Sequence, residues 1–348
     1  MELIFLGTGS QKPSKTRNVS SIALRFRSNN EYFLIDCGEG TQRQILYSED
    51  LRLPKVHSIF ITHMHGDHIF GLPGLLSSLK ESRTESDKKI MVYGPKGILK
   101  YLKQPYNNVD FDFVSVKEFN NKEDIIPEIK VSKNLIFEVI IKEVLHEIKT
   151  YGFVFNQKIK EYNIRVEARE EILKIILEKE EETKEIIKSE GGKGKNVREI
   201  FKILKEKKIE YNDGTIIDIK DPKYGLKKKE KKICILLDNY DASNIVESAK
   251  DCNILVTEAT CGKTSLDKES YEEIRRRTIE KGHSTPEMAG ELASKINTEK
   301  LILTHFSARY IDDEKEENKK IMEELKECGK KKFKKEIIMA KDFLKIEI

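Results

Sequence analysis

The sequence has no tryptophan and only five cysteines in 348 residues, and no two of those cysteines form a C-x-x-C pair. An odd cysteine count without such pairs argues against a disulfide framework and against a cysteine zinc site. No apolar run approaches the roughly 20 residues of a membrane-spanning helix. Residues 3–6, an apolar stretch near the N-terminus, are too few for the core of a signal peptide. The sequence therefore predicts a cytoplasmic protein without a membrane span.

The chain also lacks a large excess of one charge sign, because it has 64 basic and 60 acidic residues and a net charge of only +4. The distribution of these charges is more informative than their sum. Residues 191–232 carry 14 Lys or Arg against 7 Asp or Glu, whereas residues 165–190 carry 6 against 9. We interpret residues 156–230 as an insertion that stands off the core and binds substrate. The alternative interpretation is a solvent-exposed, charged insertion without a binding role.

Short apolar segments alternate with helical patterns on both sides of this insertion. Strands are predicted at residues 2–6, 21–27, 32–35, 57–61, 90–93, 137–144, 233–237, 254–257 and 301–304, and helices at residues 74–81, 96–102, 242–250 and 286–296. Such alternation predicts α/β layers. Within the insertion, the pattern predicts one long helix over residues 167–189, a glycine hinge at residues 191–194 and an amphipathic helix over residues 196–207.

The strongest chemical signal is the segment Thr62-His63-Met64-His65-Gly66-Asp67-His68, which directly follows a predicted strand. Three imidazoles and a carboxylate this close together cannot all enter a hydrocarbon core without a large desolvation cost. In a loop at the end of a strand they can converge on a cation. Imidazole nitrogen combined with carboxylate oxygen suits Zn²⁺, followed by Mn²⁺ or Fe²⁺.

Three more candidate ligands stand at or just after the ends of other predicted strands, namely His146, Asp238 and His305. The sequence predicts that one sheet edge gathers all of them with the first cluster. Seven candidate ligands are too many for one tetrahedral ion and suit two ions, which is the usual arrangement for phosphodiester hydrolysis. His57 lies inside a strand pattern and is predicted to be structural.

These motifs resemble the metallo-β-lactamase superfamily and, within it, the tRNA 3′-processing endonuclease family, ribonuclease Z. The metal motif alone is typical of the superfamily. The motifs that resemble the ribonuclease Z family in particular lie in both terminal parts of the chain: Leu6-Gly7-Thr8-Gly9-Ser10, Asp36-Cys37-Gly38-Glu39-Gly40, Glu258-Ala259-Thr260, Gly282-His283-Ser284-Thr285 and Thr304-His305-Phe306-Ser307-x-Arg309-Tyr310.

The resemblance implies an αββα sandwich, a homodimer and two Zn²⁺ per chain. It assigns the candidate ligands to two ions with one bridging carboxylate: His63, His65 and His146 to one ion, Asp67, His68 and His305 to the other, and Asp238 to both. Asp67 would help to activate the attacking hydroxide. His283, positioned by Glu258, would protonate the leaving oxygen.

Four further residues in these motifs are predicted to bind substrate, namely Ser284, Thr285, Ser307 and Arg309. Arg309 suits a bidentate phosphate contact, and a structural salt bridge is its alternative role. Glu258 could equally be a buried residue that only orients its neighbours.

The sequence thus predicts an endoribonuclease that removes the 3′ trailer of precursor tRNA. The alternative is a phosphodiesterase of the same fold that acts on small phosphodiesters or other RNA. A basic insertion favours the tRNA substrate, because small substrates do not need one. A non-catalytic RNA-binding protein would be expected to lack some of the seven candidate ligands, and none is missing.

Overall fold

The computed structural model describes residues 1–84, 88–107, 109–110, 112–159, 162–193, 197–205 and 207–348. The chain forms two compact units. The first unit contains residues 1–131, 137–156 and 231–348, and the second contains residues 132–136 and 157–230.

The strands of the described residues are, in chain order, β1 (Glu2–Gly7), β2 (Ser21–Arg25), β3 (Tyr32–Ile35), β4 (Val56–Phe60), β5 (Ile90–Pro95), β6 (Val114–Phe119), β7 (Glu123–Lys130), β8 (Leu135–Val144), β9 (Thr150–Ile159), β10 (Tyr162–Ile164), β11 (Ile209–Glu210), β12 (Ile216–Ile217), β13 (Gly225–Lys227), β14 (Lys232–Ile235), β15 (Ile254–Glu258), β16 (Lys300–Thr304), β17 (Glu336–Met339) and β18 (Lys345–Glu347). The helices are α1 (Thr41–Tyr47), α2 (Gly66–Ile69), α3 (Leu72–Ser82), α4 (Ile98–Leu102), α5 (Val166–Glu178), α6 (Glu180–Ser189), α7 (Val197–Leu204), α8 (Val246–Ala249), α9 (Tyr271–Glu280), α10 (Pro286–Ile296) and α11 (Glu316–Lys330).

The first unit is built on two seven-stranded sheets. The strand order is β18-β1-β2-β3-β4-β5-β6 in one sheet and β17-β16-β15-β14-β9-β8-β7 in the other. Neighbouring strands run parallel from β3 to β6 and from β14 to β17. Parallel strands bring their carboxyl ends to the same edge, which is where loop residues of an α/β protein meet.

Aromatic side chains fill the space between the two sheets. The Phe33 ring on β3 lies 5.4 Å from the Phe137 ring on β8, and the Phe60 ring on β4 lies 5.6 Å from the Phe153 ring on β9. Two aliphatic clusters cover the outer faces, one beneath α1, α3 and α4 and the other beneath α8, α10 and α11. The layers are therefore helix, sheet, sheet and helix, as the αββα prediction requires.

Most predicted elements of the first unit occur within one or two residues of their predicted bounds, and β3 and α10 have the bounds predicted for them. Burial explains this agreement, since Tyr32–Ile35 is buried at every position of the strand. Among the described residues, no helix is both long and apolar enough to cross a membrane.

The second unit has its own apolar cluster, which draws on α5, α6, α7 and the short antiparallel strand pairs β10–β13 and β11–β12. The prediction of one helix over residues 167–189 is wrong, because the helix breaks at Lys179 (φ −119°, ψ 41°). The break lets Ile176 of α5 and Ile187 of α6 reach the same cluster. Lys179 itself pairs with Asp213 and lies over the Tyr211 ring.

The glycines predicted to form a hinge instead end α6 where the structure describes them. Gly191 has φ 77°, and the Gly192 amide donates to the Ile187 carbonyl. A left-handed residue followed by this bond is a common helix C-terminus. Gly194, Asn196 and Glu206, which belong to the predicted hinge and amphipathic helix, lie outside the described residues.

Candidate metal centre

The predicted metal-binding residues converge at the edges of both sheets, not at the edge of one sheet as the sequence suggested. The segment His63–His68 follows β4 of the first sheet, whereas His146, Asp238 and His305 follow β8, β14 and β16 of the second. Both sheets present strand ends here because they pack face to face.

One group of side chains surrounds Asp238 Oδ2. His65 Nδ1 lies 3.2 Å from His63 Nε2 and 3.2 Å from His146 Nε2. Asp238 Oδ2 lies 3.8 Å from His63 Nε2 and 3.7 Å from His146 Nε2. Burial lowers the pKa of both His63 and His65. These rings are therefore neutral near pH 7 and offer lone pairs, which a metal ion requires.

A second group surrounds the other oxygen of the same carboxylate. Asp238 Oδ1 lies 3.1 Å from His68 Nε2 and 3.1 Å from His305 Nε2. Asp67 Oδ2 completes the group at 3.5 Å from His68 Nε2 and 3.4 Å from His305 Nε2. Asp238 thus divides its two oxygens between two sets of imidazoles, which is the geometry expected of a bridging carboxylate.

Two orphaned polar atoms show that these residues fit metal ions. His68 Nε2 and Asp238 Oδ1 are fully buried and lie 3.1 Å apart, but neither atom meets hydrogen-bond geometry with a partner among the described residues. A buried polar group without a partner is costly, and a cation between these atoms would satisfy both. Burial opposes ionisation of Asp67, but hydrogen bonds from His305 and His68 outweigh it and hold the pKa of this carboxyl far below its ordinary range. Asp67 therefore offers a carboxylate oxygen to a cation at this place.

The nitrogens that face away from the centre are held by neighbouring groups. His63 Nδ1 lies 2.9 Å from Thr62 Oγ1, His305 Nδ1 lies 3.0 Å from Thr260 Oγ1, and His146 Nδ1 lies 2.7 Å from the Gly282 carbonyl oxygen. Partners of this kind fix the orientation of metal-binding imidazoles.

Asp36 performs this orienting task for His68, and the sequence reasoning did not identify it as a site residue. Its carboxylate accepts hydrogen bonds from the Thr62 amide and hydroxyl, both at 2.7 Å, and lies 2.5 Å from His68 Nδ1. Asp36 is fully buried and has φ 57°. Its place directly after a buried strand, like that of the other candidate ligands, was the signal that could have found it.

His283 lies beside the two groups and is held by a buried glutamate. Its Nδ1 lies 3.2 Å from Glu258 Oε2 and 3.7 Å from Asp238 Oδ2. Burial lowers the pKa of His283, but the charge and hydrogen bond of Glu258 outweigh it and raise the pKa to about 9. The ring therefore carries a proton at neutral pH. Glu258 also accepts from the Asn239 amide at 2.6 Å and from Thr260 Oγ1 at 2.5 Å, so it positions several parts of the site at once.

Gly282 must be a glycine because of its backbone and its neighbours. Its φ is 74°, and a Cβ atom here would lie only 2.5 Å from His146 Nδ1 and 2.9 Å from Glu147 Cγ. A larger residue would strain the backbone and displace the His146 ring.

The structure uses the hydroxyls of two predicted substrate-binding residues internally. Ser284 Oγ donates to the Asn239 carbonyl at 2.5 Å, and Thr285 Oγ1 accepts from the Met288 amide at the start of α10. Arg309 Nη2 lies 2.5 Å from Asp267 Oδ1, so the structural salt bridge weighed for this residue is present. Ser307 is only partly buried, and its amide donates to the Thr260 carbonyl. Substrate binding by these four residues stays a prediction.

Comparisons with known proteins agree with this geometry. Ribonuclease Z from Listeria welshimeri is 37% identical to this chain over 316 residues, which is 90% of each chain. Ribonuclease Z from Streptococcus pyogenes is 36% identical over 323 residues, covering 89% of this chain and 91% of its own. The crystal structure of human tRNase Z, short form, superposes with a TM-score of 0.61 at 24% identity and covers 100% of this chain and 99% of its own, which supports the fold.

A family model described as anti-Pycsar protein Apyc1 matches residues 1–182. The matched part contains His63–His68 and His146 but ends before Asp238, Glu258, His283 and His305. The two Ribonuclease Z matches cover about 90% of the chain. They therefore cover more of the chain than the family model does.

Proposed function

Because the chain belongs to the ribonuclease Z family, and shares its first half with the Apyc1 family model, we propose that it is a zinc-dependent endoribonuclease. It removes the 3′ trailer from precursor tRNA and leaves a 3′ hydroxyl. The observation that best supports metal chemistry is the position of the Asp238 carboxylate. Its two oxygens face two separate groups of imidazoles.

The two groups of imidazoles suit two Zn²⁺ per chain. His63, His65 and His146 would hold one ion, Asp67, His68 and His305 the other, and Asp238 both. Neutral imidazoles with a few carboxylates are the donors that zinc favours. When bound, two such ions polarise a phosphodiester and lower the pKa of water towards ~7.

The chain's own residues then orient the attacking water and supply the proton. Despite its burial, hydrogen bonds from His305 and His68 hold the pKa of Asp67 low, and the Gln11 amide donates to its Oδ2 at 2.6 Å, so this carboxylate can accept a hydrogen bond from the attacking water. Attack on phosphorus breaks the bond to the 3′ oxygen. His283 donates its proton to that oxygen, while the proton of the water goes to solvent. Glu258 keeps His283 protonated and aimed at the site.

The test is cleavage of a 3′-extended tRNA transcript by the zinc-loaded protein, with the product ends mapped. We expect a single cut that gives a tRNA with a 3′ hydroxyl and a trailer with a 5′ phosphate. An unstructured RNA of equal length serves as the control and should remain uncut. If a small phosphodiester is hydrolysed while the tRNA is not, the alternative phosphodiesterase function replaces this proposal.

We further propose that the second unit, residues 132–136 and 157–230, binds the body of the tRNA. A cavity of about 1000 Å³ within this unit is lined by both cationic and apolar side chains. Among these residues, Lys202 lies beside Phe201 on α7, Lys205 directly follows that helix, and Arg169 lies on α5. Lysine and arginine contacts to phosphates position a nucleic acid without reading its sequence.

Replacing residues 160–229 with a short Gly-Ser linker should therefore weaken tRNA binding strongly and leave hydrolysis of a small chromogenic phosphodiester nearly intact. The linker would join β9 to β14, which are already paired antiparallel, and the candidate ligands all lie outside the deletion. A filter-binding titration at several salt concentrations measures the effect, and wild-type affinity should fall steeply with salt. The double variant Lys202→Glu/Lys205→Glu should reproduce much of the loss without removing the unit.

Charge reversal of Lys184, which is paired with Glu180 and Glu181 on the same unit, is the matched control and should change affinity little. If the deletion variant binds tRNA as tightly as wild type does, the second unit is a solvent-exposed insertion without a role in binding.

The homodimer and the cytoplasmic location predicted from the sequence are retained as proposals, and light scattering of the purified protein tests the first of them.

A further inference from the structure

The cavity beside the candidate metal centre is bordered by an exposed phenylalanine for which the chemistry above has no use. This cavity has a volume of about 600 Å³ and is lined by Asp67, Asp238 and His283 at the metal centre and by Phe70, Lys12 and Lys281 around them. Phe70 directly follows α2 and remains 64% exposed. An apolar ring left exposed within a site is typical of a ligand contact.

The Phe70 ring is held in place by the backbone of α2. The Phe70 amide donates to the Gly66 carbonyl at 2.9 Å. A Cβ atom added to Gly66 would lie 2.2 Å from Phe70 Cε2 and 2.6 Å from Cζ, so the ring packs directly on this glycine. The ring therefore has one side supported by the chain between two candidate ligands, His65 and Asp67, and it borders the cavity.

The charges of the cavity show why such a ring would be needed. Lys12 and Lys281 are exposed, but the lining also contains the carboxylates of Glu39 and Glu147 in addition to those of the metal centre. Lys12, Lys281, Glu39 and Glu147 therefore balance in charge, so these side chains outside the metal centre give a polyanion little net attraction. Stacking of a nucleobase on an aromatic ring adds affinity that does not depend on charge and tolerates any base.

We propose that Phe70, Lys12 and Lys281 form a nucleotide subsite next to the scissile phosphate. The Phe70 ring stacks on a flanking nucleobase, and the two ammonium groups bind flanking phosphates. The identity of the ligand as RNA rests on the proposed function, whereas the subsite rests on the exposed ring, its glycine support and its place in the cavity.

The experiment is a cycle that combines changes in the protein with changes in the substrate. Wild type, Phe70→Ala, Phe70→Leu and Phe70→Trp, all zinc-loaded, are compared on a 3′-extended tRNA and on the same tRNA with an abasic nucleotide on either side of the scissile bond. Leu46→Ala is the matched control, because Leu46 is 68% exposed and does not line the cavity. Light scattering of each variant records its oligomeric state.

Phe70→Ala should lower kcat/KM on the intact tRNA by roughly 5- to 100-fold, as the loss of one stacked base predicts. Phe70→Leu should lose nearly as much, whereas Phe70→Trp and Leu46→Ala should stay close to wild type. With wild type, one of the two abasic substrates should lower kcat/KM as much as Phe70→Ala does on the intact tRNA. With Phe70→Ala, the same abasic substrate should cause no further loss. The subsite proposal is wrong if each abasic substrate lowers kcat/KM as much in Phe70→Ala as in wild type. It is also wrong if Phe70→Ala has an altered oligomeric state.

A binding measurement separates this inference from the proposed function. A short RNA that contains 2-aminopurine is titrated into zinc-loaded protein, and stacking of that base quenches its fluorescence. If wild type fails to cleave tRNA but quenches this probe in a Phe70-dependent manner, the proposed function fails and the subsite stands. Quenching that is equal in wild type and Phe70→Ala overturns the subsite whatever the cleavage result.

Discussion

Replacing Asp238 with alanine is expected to abolish RNA cleavage and to reduce the metal content from the proposed two ions per chain to one or none. Asp238 has one oxygen near His63 and His146 and the other near His68 and His305, so its removal opens both groups at once. Loss of a residue that only orients a ligand typically costs 10- to 100-fold in metal affinity or activity. The loss here should exceed about 100-fold, because a direct contact to both groups disappears. Elemental analysis and a tRNA cleavage assay measure the two effects.

Asp241→Ala provides the matched control for this change. Asp241 lies three residues further along the same loop, is exposed, and accepts a hydrogen bond from the Ser243 amide. Its removal should leave both metal content and cleavage close to wild type. Two ions retained in Asp238→Ala, or fewer than one ion in metal-replete wild type, would contradict the dinuclear arrangement.

Replacing His283 with alanine is expected to lower turnover by about 10²–10⁴-fold, which is the usual contribution of a positioned general acid. The metal content should stay unchanged, because His283 Nδ1 is engaged by Glu258 at 3.2 Å and lies farther from Asp238. Single-turnover cleavage of the tRNA substrate, together with elemental analysis of the same sample, gives both numbers.

His57→Ala is the control for removal of a partly buried histidine. The His57 ring contacts Ser58 Oγ and the Lys130 carbonyl, away from the candidate metal centre, so turnover per folded molecule should not change. Zinc loss in His283→Ala would instead place His283 among the metal ligands. That outcome has a structural basis, since Asp238, His283 and His305 also have side-chain atoms within 4.8 Å of one another.

The sequence was sufficient wherever the information is local. Four candidate ligands fall within His63–His68, directly after a buried strand, which places them at a sheet edge. His63 and His65 lie in the loop, and Asp67 and His68 lie in the short helix α2 that follows it. The αββα fold followed from the same motifs, through the ribonuclease Z resemblance. His146 and His305 were found by their positions just after predicted strands, because parallel strands present their ends at a common edge.

Some strands of the fold were not predicted from the sequence. The strand β9 lies between β8 and β14 in the second sheet, although its sequence was not predicted as a strand. The strands β17 and β18 sit at sheet edges and have few buried positions. Pairing with distant neighbours decides such segments, and a periodicity read along one segment does not contain that information.

The sequence by itself determined the types of candidate ligand and, through the family resemblance, the fold that brings them together, while their grouping around two ions stays a prediction. Only the tertiary structure decided that two sheets share the site, that Asp36 orients His68, and that Arg309 pairs with Asp267. The same holds for Ser284 and Thr285, whose hydroxyls bind backbone groups. Each of these contacts except the Thr285 cap joins residues that are more than 30 positions apart, and the geometry of such pairs is set by packing of the whole core, not by the residues that flank them.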